Sequence, residues 1–317
     1  MHEPFALLVP VYQGDQPHYL RRAFRSAVGD QAVRPDQVII VRDGPVGSGL
    51  AECLDELQGS SEVPVTLVPL ERNRGLGPAL DAGLEASWFD VVARMDADDV
   101  AMPHRFEAQL PHMQQADIVG SGLLEFVEDT DKVVGQRVPP TGHRRIFRYA
   151  RMHDPFNHPT VVYRRQAVLA AGGYGDLPLM EDYSLFARML ARGARAVNLA
   201  EPLVYYRVGA KAYKRRGGTR LLASELRLQR EFRRSGFTSR AEYVRNVMIR
   251  GAYRLIPWWC RRAVYRSLVN HAIRRPDPGL EAWEQPESED WEYGQFWESP
   301  DMFAAGLWRE PAPPVRR

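Results

Sequence analysis

Four short apolar runs separated by helix-patterned segments fill the first third of the 317-residue chain, and this alternation leaves few folds open. "FALLVPVY" (Phe5 to Tyr12), "QVIIVRDG" (Gln37 to Gly44), "VPVTLVPL" and "DVVARMD" have the length and near-continuous hydrophobicity of strands buried on both faces. Between them, "HYLRRAFRSAV", "GLAECLDEL" and "GPALDAGLEAS" are spaced as helices. Parallel strands need long crossovers, usually helical, so the pattern predicts an α/β unit with a mostly parallel sheet. Ligands of such sheets bind beyond the carboxyl ends of the strands. Pro10 to Tyr12, Asp43, Asn73 and Asp96 to Asp99 all fall at or just after predicted strand ends, so they are expected to converge on one crevice.

Further along, Asp117 to Val138 is expected to form a meander of short strands, and "HPTVVYRRQAVLAAGGY" a strand, a helix and a glycine stop. "LPLMEDYSLFARMLARG" predicts an amphipathic helix with Glu181 and Asp182 in its first turn, where acidic side chains complement the helix dipole. Net charge is only +2, but it is unevenly spread. From Tyr205 to Arg275 the only acids are Glu225, Glu231 and Glu242 among many arginines and lysines, and after Pro276 the balance reverses.

Cys53 and Cys260 lie far apart in dissimilar settings, which supports neither a disulfide framework nor a zinc site and makes a reducing, cytoplasmic compartment the default. The N-terminus reads as a first strand and not as a secretion signal. No run reaches the eighteen or so apolar residues of a transmembrane helix. No G-x-G-x-x-G follows the first strand, which argues against a dinucleotide-binding oxidoreductase.

"ARMDADD" (Ala93 to Asp99) crowds three mutually repelling carboxylates onto a strand end. Such a cluster is either a solvated turn or a site for a hard divalent cation. Mn²⁺ or Mg²⁺ takes one or two carboxylates and completes its shell with phosphate oxygens, so a diphosphate-bearing substrate suits the second alternative.

"LLVPVYQGD", "VIIVRDGP", "ERNRGLGPALDAGL", "VARMDADDVAMPHRF" and "MEDYSLFARML", in this order and spacing, resemble family 2 glycosyltransferases of the GT-A fold. "HPTVVYRRQAVLAAGGY", "PLMEDY" and "RVGAKAYKRRGG" are most similar to the amylovoran-biosynthesis branch of that family. The resemblance covers roughly residues 4 to 220. It implies a Rossmann-like, mostly parallel mixed sheet flanked by helices. It further implies a nucleotide-binding half at 1–100 and an acceptor half at 101–218; beyond it, composition and charge set off a basic helical extension at 219–275 and an acidic, aromatic tail at 276–317.

By that resemblance Pro10, Val11 and Tyr12 hold the nucleotide base, Asp43 bonds the uracil ring, and Asn73 and Gly75 line the nucleotide. Asp96-Ala97-Asp98 matches the family's D-x-D, with Asp96 toward the ribose or a metal-bound water, Asp98 as the metal ligand and Asp99 in support. Asp182 matches the acceptor-side base, with Glu181 beside it. His158 falls in the acceptor region, and Arg207, Lys211, Lys214, Arg215 or Arg216 is expected to clamp the diphosphate. One base and one metal, with no carboxylate nucleophile, favour inversion at the anomeric carbon.

Gly251 to Pro276 interleaves Trp258, Trp259 and Tyr265 with Arg254, Arg261, Arg262 and Arg266. This suits either a peripheral helix on anionic lipid at the inner membrane face or a core helix with a solvated basic face. No nucleic-acid-binding motif is present. The expected function is transfer of a sugar from a nucleotide-sugar, a UDP-sugar in the first instance, to a lipid-linked or exopolysaccharide precursor. The alternatives are a nucleotide-sugar-binding scaffold without turnover and a sugar nucleotidyltransferase; the latter usually has a glycine-rich basic loop after the first strand, which "PVYQGDQPHYL" lacks.

Overall fold

Successive residues of the first strand, β1 (Phe5–Tyr12), enter two different cores. Ala6 and Leu8 join one apolar cluster, and Phe5, Leu7, Val9 and Val11 join the other. β2 (Gln37–Asp43) divides in the same way, Ile39 and Val41 to one side and Val38 and Ile40 to the other. A strand covered on both faces has no reason to alternate with polar residues, which is why the sequence shows continuous apolar runs.

A computed structural model of the chain describes residues 3–208 and 219–255. β3 (Val65–Pro69), β2, β1 and β4 (Val91–Arg94) lie side by side in that order and run parallel, as expected. Their connections carry α1 (Pro17–Phe24), α2 (Ser48–Ser60) and α3 (Leu76–Glu85). The sheet continues from β4 through antiparallel neighbours. In chain order these later elements are β5 (Val100–Ala101), α4 (Arg105–Gln109), β6 (Ile118–Phe126), β7 (Val133–Arg137), α5 (His143–Ala150), β8 (Val162–Arg164), α6 (Arg165–Ala170), α7 (Glu181–Ala191) and β9 (Ala196–Arg207). The full path is β3-β2-β1-β4-β8-β6-β9-β5, with β7 added on β6.

Register makes the crevice. Tyr12 lies opposite Asp43, whereas β4 already ends with Arg94 opposite Leu8. The chain therefore leaves the sheet four residues before β1 does, and Met95 to Asp99 turn across its carboxyl end.

β9 was not anticipated. Its parallel pairing with β6 slips around Ser121 to Leu123, opposite Leu199 to Val204, so its apolar positions follow no single period.

α8 (Thr219–Arg234) and α9 (Arg240–Leu255) follow. Leu221, Leu228 and Phe232 belong to the same apolar cluster as Tyr183 and Phe186 of α7. Arg250 donates from Nε to Glu225 at 2.6 Å and from Nη1 to the Met152 carbonyl at 2.6 Å, and Arg151 bridges to Glu242 at 2.6 Å. Arg250 of the basic extension is thus packed inward as an ion pair, and Glu242 of the extension is tied to Arg151. Among the described residues no helix is long and apolar enough to cross a membrane. Of the segment proposed for lipid, residues 256–276 with Trp258 and Trp259 lie outside the described residues, as do Lys211, Lys214, Arg215 and Arg216 and the tail at 276–317.

α3 meets α7 through a glycine. A Cβ on Gly77 would sit 2.4 Å from the Gly175 carbonyl oxygen and 3.5 Å from the Glu181 Cβ. Glycine to alanine in a helix gains about 0.5–1 kcal/mol in an open setting, but here a backbone oxygen must move, and overpacking of this kind costs about 1–3 kcal/mol. Gly77→Ala is therefore expected to be net destabilising in chemical denaturation.

Candidate active site

Asp43 closes β2 and is only 5% exposed. Its carboxylate accepts the Arg74 and Gly75 N–H groups at 2.6 and 3.0 Å, while Asn73 Nδ2 donates back to the Asp43 carbonyl at 3.2 Å. Gly75, at φ +91°, takes the left-handed conformation that this turn needs before α3. Asp43 thus builds the 73–75 loop, with lone pairs remaining for a ligand N–H. Tyr12, at the end of β1, is 44% exposed, whereas Val11 and Ala97 are buried and leave only backbone for a ligand.

A carboxylate not foreseen in the sequence joins the D-x-D turn. Asp15 accepts the Tyr12 N–H at 2.9 Å. Burial pushes its carboxyl up to about 7 against that hydrogen bond, and the nearby charges of Asp98 and Asp96 push the same way. Asp99 is fully buried and held well above the usual carboxylate range by burial and by Asp96 and Asp98. Asp96 and Asp98 themselves are partly exposed. Partly exposed hard oxygens whose charge raises the proton affinity of Asp15 and Asp99 are the donor chemistry that a divalent cation relieves. Among the described residues no three His, Cys, Asp or Glu side chains form a metal cage, and Mg²⁺ sites ordinarily use fewer, with substrate phosphates as the remainder.

Arg207 has a different place from the diphosphate clamp expected of it. Its N–H donates to Asp99 Oδ1 at 2.9 Å, its Nε to the Asp98 carbonyl at 3.0 Å and its Nη1 to the Glu128 carbonyl at 2.9 Å. The guanidinium lies 3.8 Å from the Tyr19 ring centroid and 4.5 Å from that of Phe126. It fastens the backbone of the D-x-D turn to β9.

The acceptor-side residues gather at the start of α7. Burial raises the Asp182 carboxyl above its ordinary range, opposed by the Tyr183 N–H at 2.8 Å and by the charge of Arg94, and reinforced by Asp96. Glu181 is pushed up to about 7 by burial and by Asp182. His158 Nε2 is 2.9 Å from the Tyr174 hydroxyl, and its Nδ1 is 3.6 Å from Asp182 Oδ2, too long for a hydrogen bond. Burial and Arg94 hold the ring well below its usual range, so it is neutral. A second unforeseen acid, Asp154, is pushed well above the carboxylate range by burial and by Asp182. A lone acid in a polar loop gives no sequence signal. The one available clue, Asp15 three residues after a strand-end tyrosine, fits any turn.

The structure therefore brings together two sets of carboxylates, Asp15 and Asp96 to Asp99 on one side and Glu181, Asp182 and Asp154 on the other. Asp96 and Asp182 lie within electrostatic reach of each other. One set can serve a diphosphate and its cation, the other a hydroxyl that must lose a proton.

Comparison with known proteins shows the family and the fold. The profile of "Glycosyl transferase family 2" matches residues 6–173. The chain is 34% identical over 273 residues to the UDP-Gal:alpha-D-GlcNAc-diphosphoundecaprenol beta-1,3-galactosyltransferase of Escherichia coli, covering 85% of this chain and 98% of that one. It is also 34% identical to the amylovoran biosynthesis glycosyltransferase AmsE of Erwinia amylovora, over 80% of this chain and 94% of that one. Among solved structures, S. aureus TarS 1–349 in complex with UDP-GlcNAc superposes with a TM-score of 0.59 at 15% identity, over 77% of this chain and 70% of that one. The mannosyltransferase PcManGT of Pyrobaculum calidifontis, in complex with GDP-Man and Mn²⁺, gives 0.58 at 14%, over 88% and 77%.

The protein is a glycosyltransferase with the GT-A fold. It belongs to glycosyl transferase family 2.

Proposed function

We propose that the enzyme transfers a hexosyl group from a UDP-sugar to a hydroxyl of a lipid-linked or exopolysaccharide precursor at the cytoplasmic face of the membrane, with inversion at the anomeric carbon. The observation that carries this reading is the pairing of a diphosphate-suited carboxylate turn, Asp96 to Asp99, with a partly exposed acid, Asp182, that lies within electrostatic reach of Asp96. Near-full-length similarity to a galactosyltransferase whose name specifies a UDP-sugar and a diphosphoundecaprenol acceptor supports the donor and acceptor classes.

Tyr12, Asp43 and the 73–75 loop hold the base, and Asp96 orients the ribose. Asp98 would hold Mn²⁺ or Mg²⁺, which when bound supplies charge neutralisation for the departing diphosphate. Asp182, ionised, accepts the proton of the acceptor hydroxyl as its oxygen bonds to the anomeric carbon. The bond from that carbon to the diphosphate breaks, and the nucleoside diphosphate leaves with the electron pair. The buried, neutral His158, its Nδ1 3.6 Å from Asp182, does not compete for the proton.

A panel of UDP- and GDP-sugars tests this proposal, scored by nucleoside diphosphate release with Mn²⁺, with Mg²⁺ and with EDTA. The expected result is preference for one UDP-sugar and loss of turnover in EDTA. Preference for a GDP-sugar would overturn the donor assignment, and undiminished turnover in EDTA the metal assignment.

A further inference from the structure

Arg94, the last residue of β4, is 1% exposed, an unusual place for a guanidinium. Its Nη2 pairs with Asp96, but Nε and Nη1 have no hydrogen-bond partner among the described residues. Its backbone is fixed on both sides, the N–H donating to the Val161 carbonyl at 2.9 Å and the carbonyl accepting from Arg105 Nη2 at 2.7 Å. Glu181 Oε2, on the acceptor side, is likewise buried and unpartnered.

A buried ion pair is weak evidence for stability, since an apolar side chain of similar volume often does as well or better. Two unmade hydrogen bonds weaken the stability explanation further. The benefit of this cation therefore has to be sought in the site, and its neighbours come from both of its halves.

We propose that Arg94 is a positioning residue shared by donor and acceptor sides: one buried cation holds Asp96 in place and supplies the positive charge against which Glu181 and Asp182 ionise. The inference rests on the assignment of Asp182 as the base. The groups that bear on Asp182 are Arg94 and Asp96 from the end of β4, Glu181 beside it, Asp154 and His158 from the segment before β8, and Tyr174 from the loop before α7. Arg94 is the cation among them. It favours the charged form of Asp182 and Glu181, and Asp96 opposes it at Asp182.

The sign of the coupling gives the test. Transfer needs Asp182 ionised, so kcat falls as pH drops through its pKa. Removing the cation raises that pKa; removing the competing anion lowers it. Arg94→Met should move the acid limb of the kcat profile upward by about one pH unit or more, and Asp96→Asn should move it downward. Arg94→Lys should hold the limb near its wild-type position. A residue that only packs would change amplitude and melting temperature without shifts of opposite sign. Folded Arg94→Met with an unmoved limb, or an Asp96→Asn limb that moves upward, overturns the proposal. If Arg94→Met does not fold, the direction of the Asp96→Asn shift decides. Transfer that persists in Asp182→Asn would instead overturn the underlying base assignment, so the two failures are distinguishable.

Discussion

Asp182→Asn is expected to lower sugar transfer by about 10²- to 10⁴-fold, the contribution of a well-placed general base, with nucleotide affinity close to wild type. The substitution is nearly isosteric, and the amide oxygen can still accept the Tyr183 N–H that now bonds Asp182 Oδ1. α7 should therefore start as before. What is lost is a group able to take a proton. Because burial holds Asp182 above the ordinary carboxylate range, the acid limb of the wild-type profile should lie above that range too, and should vanish in the variant. Initial rates against pH, beside UDP binding by calorimetry, check both expectations.

Asp98→Ala has the second largest expected effect, a loss of about 10²- to 10³-fold in turnover, the scale seen when a group that stabilises developing negative charge is removed. The variant should also gain less thermal stability from added Mn²⁺ with UDP than the wild type does. Thermal unfolding with and without both ligands reads this directly.

The fold of the first hundred residues was legible in the sequence because its information is local. β1 to β4 are continuous apolar runs, α1 to α3 are helically spaced, and the strand ends fall where polar residues begin. The start of α7 was legible for the same reason, acids at a helix N-terminus. What the sequence concealed is non-local. β9 pairs across a register slip that only its partner defines. Arg94 looks like a solvated strand-end arginine until Val161, Arg105 and Asp96 close around it. Arg207 stands in a basic stretch that suggested a phosphate contact, yet Tyr19 and Phe126, remote in sequence, hold it against the Asp98 backbone. Asp15 and Asp154 acquire their chemistry from burial and from acids elsewhere in the chain.

The central claim is a division of labour, with Asp98 serving the leaving diphosphate and Asp182 the incoming hydroxyl. The measurement that tests it most directly is UDP binding with and without Mn²⁺, set beside the transfer rate, in these two single variants. The predicted result is a crossed one, in which Asp98→Ala loses the Mn²⁺-dependent part of UDP affinity while Asp182→Asn keeps it and loses transfer. Equal loss of metal-dependent binding in both variants, or full transfer by Asp182→Asn, would contradict it.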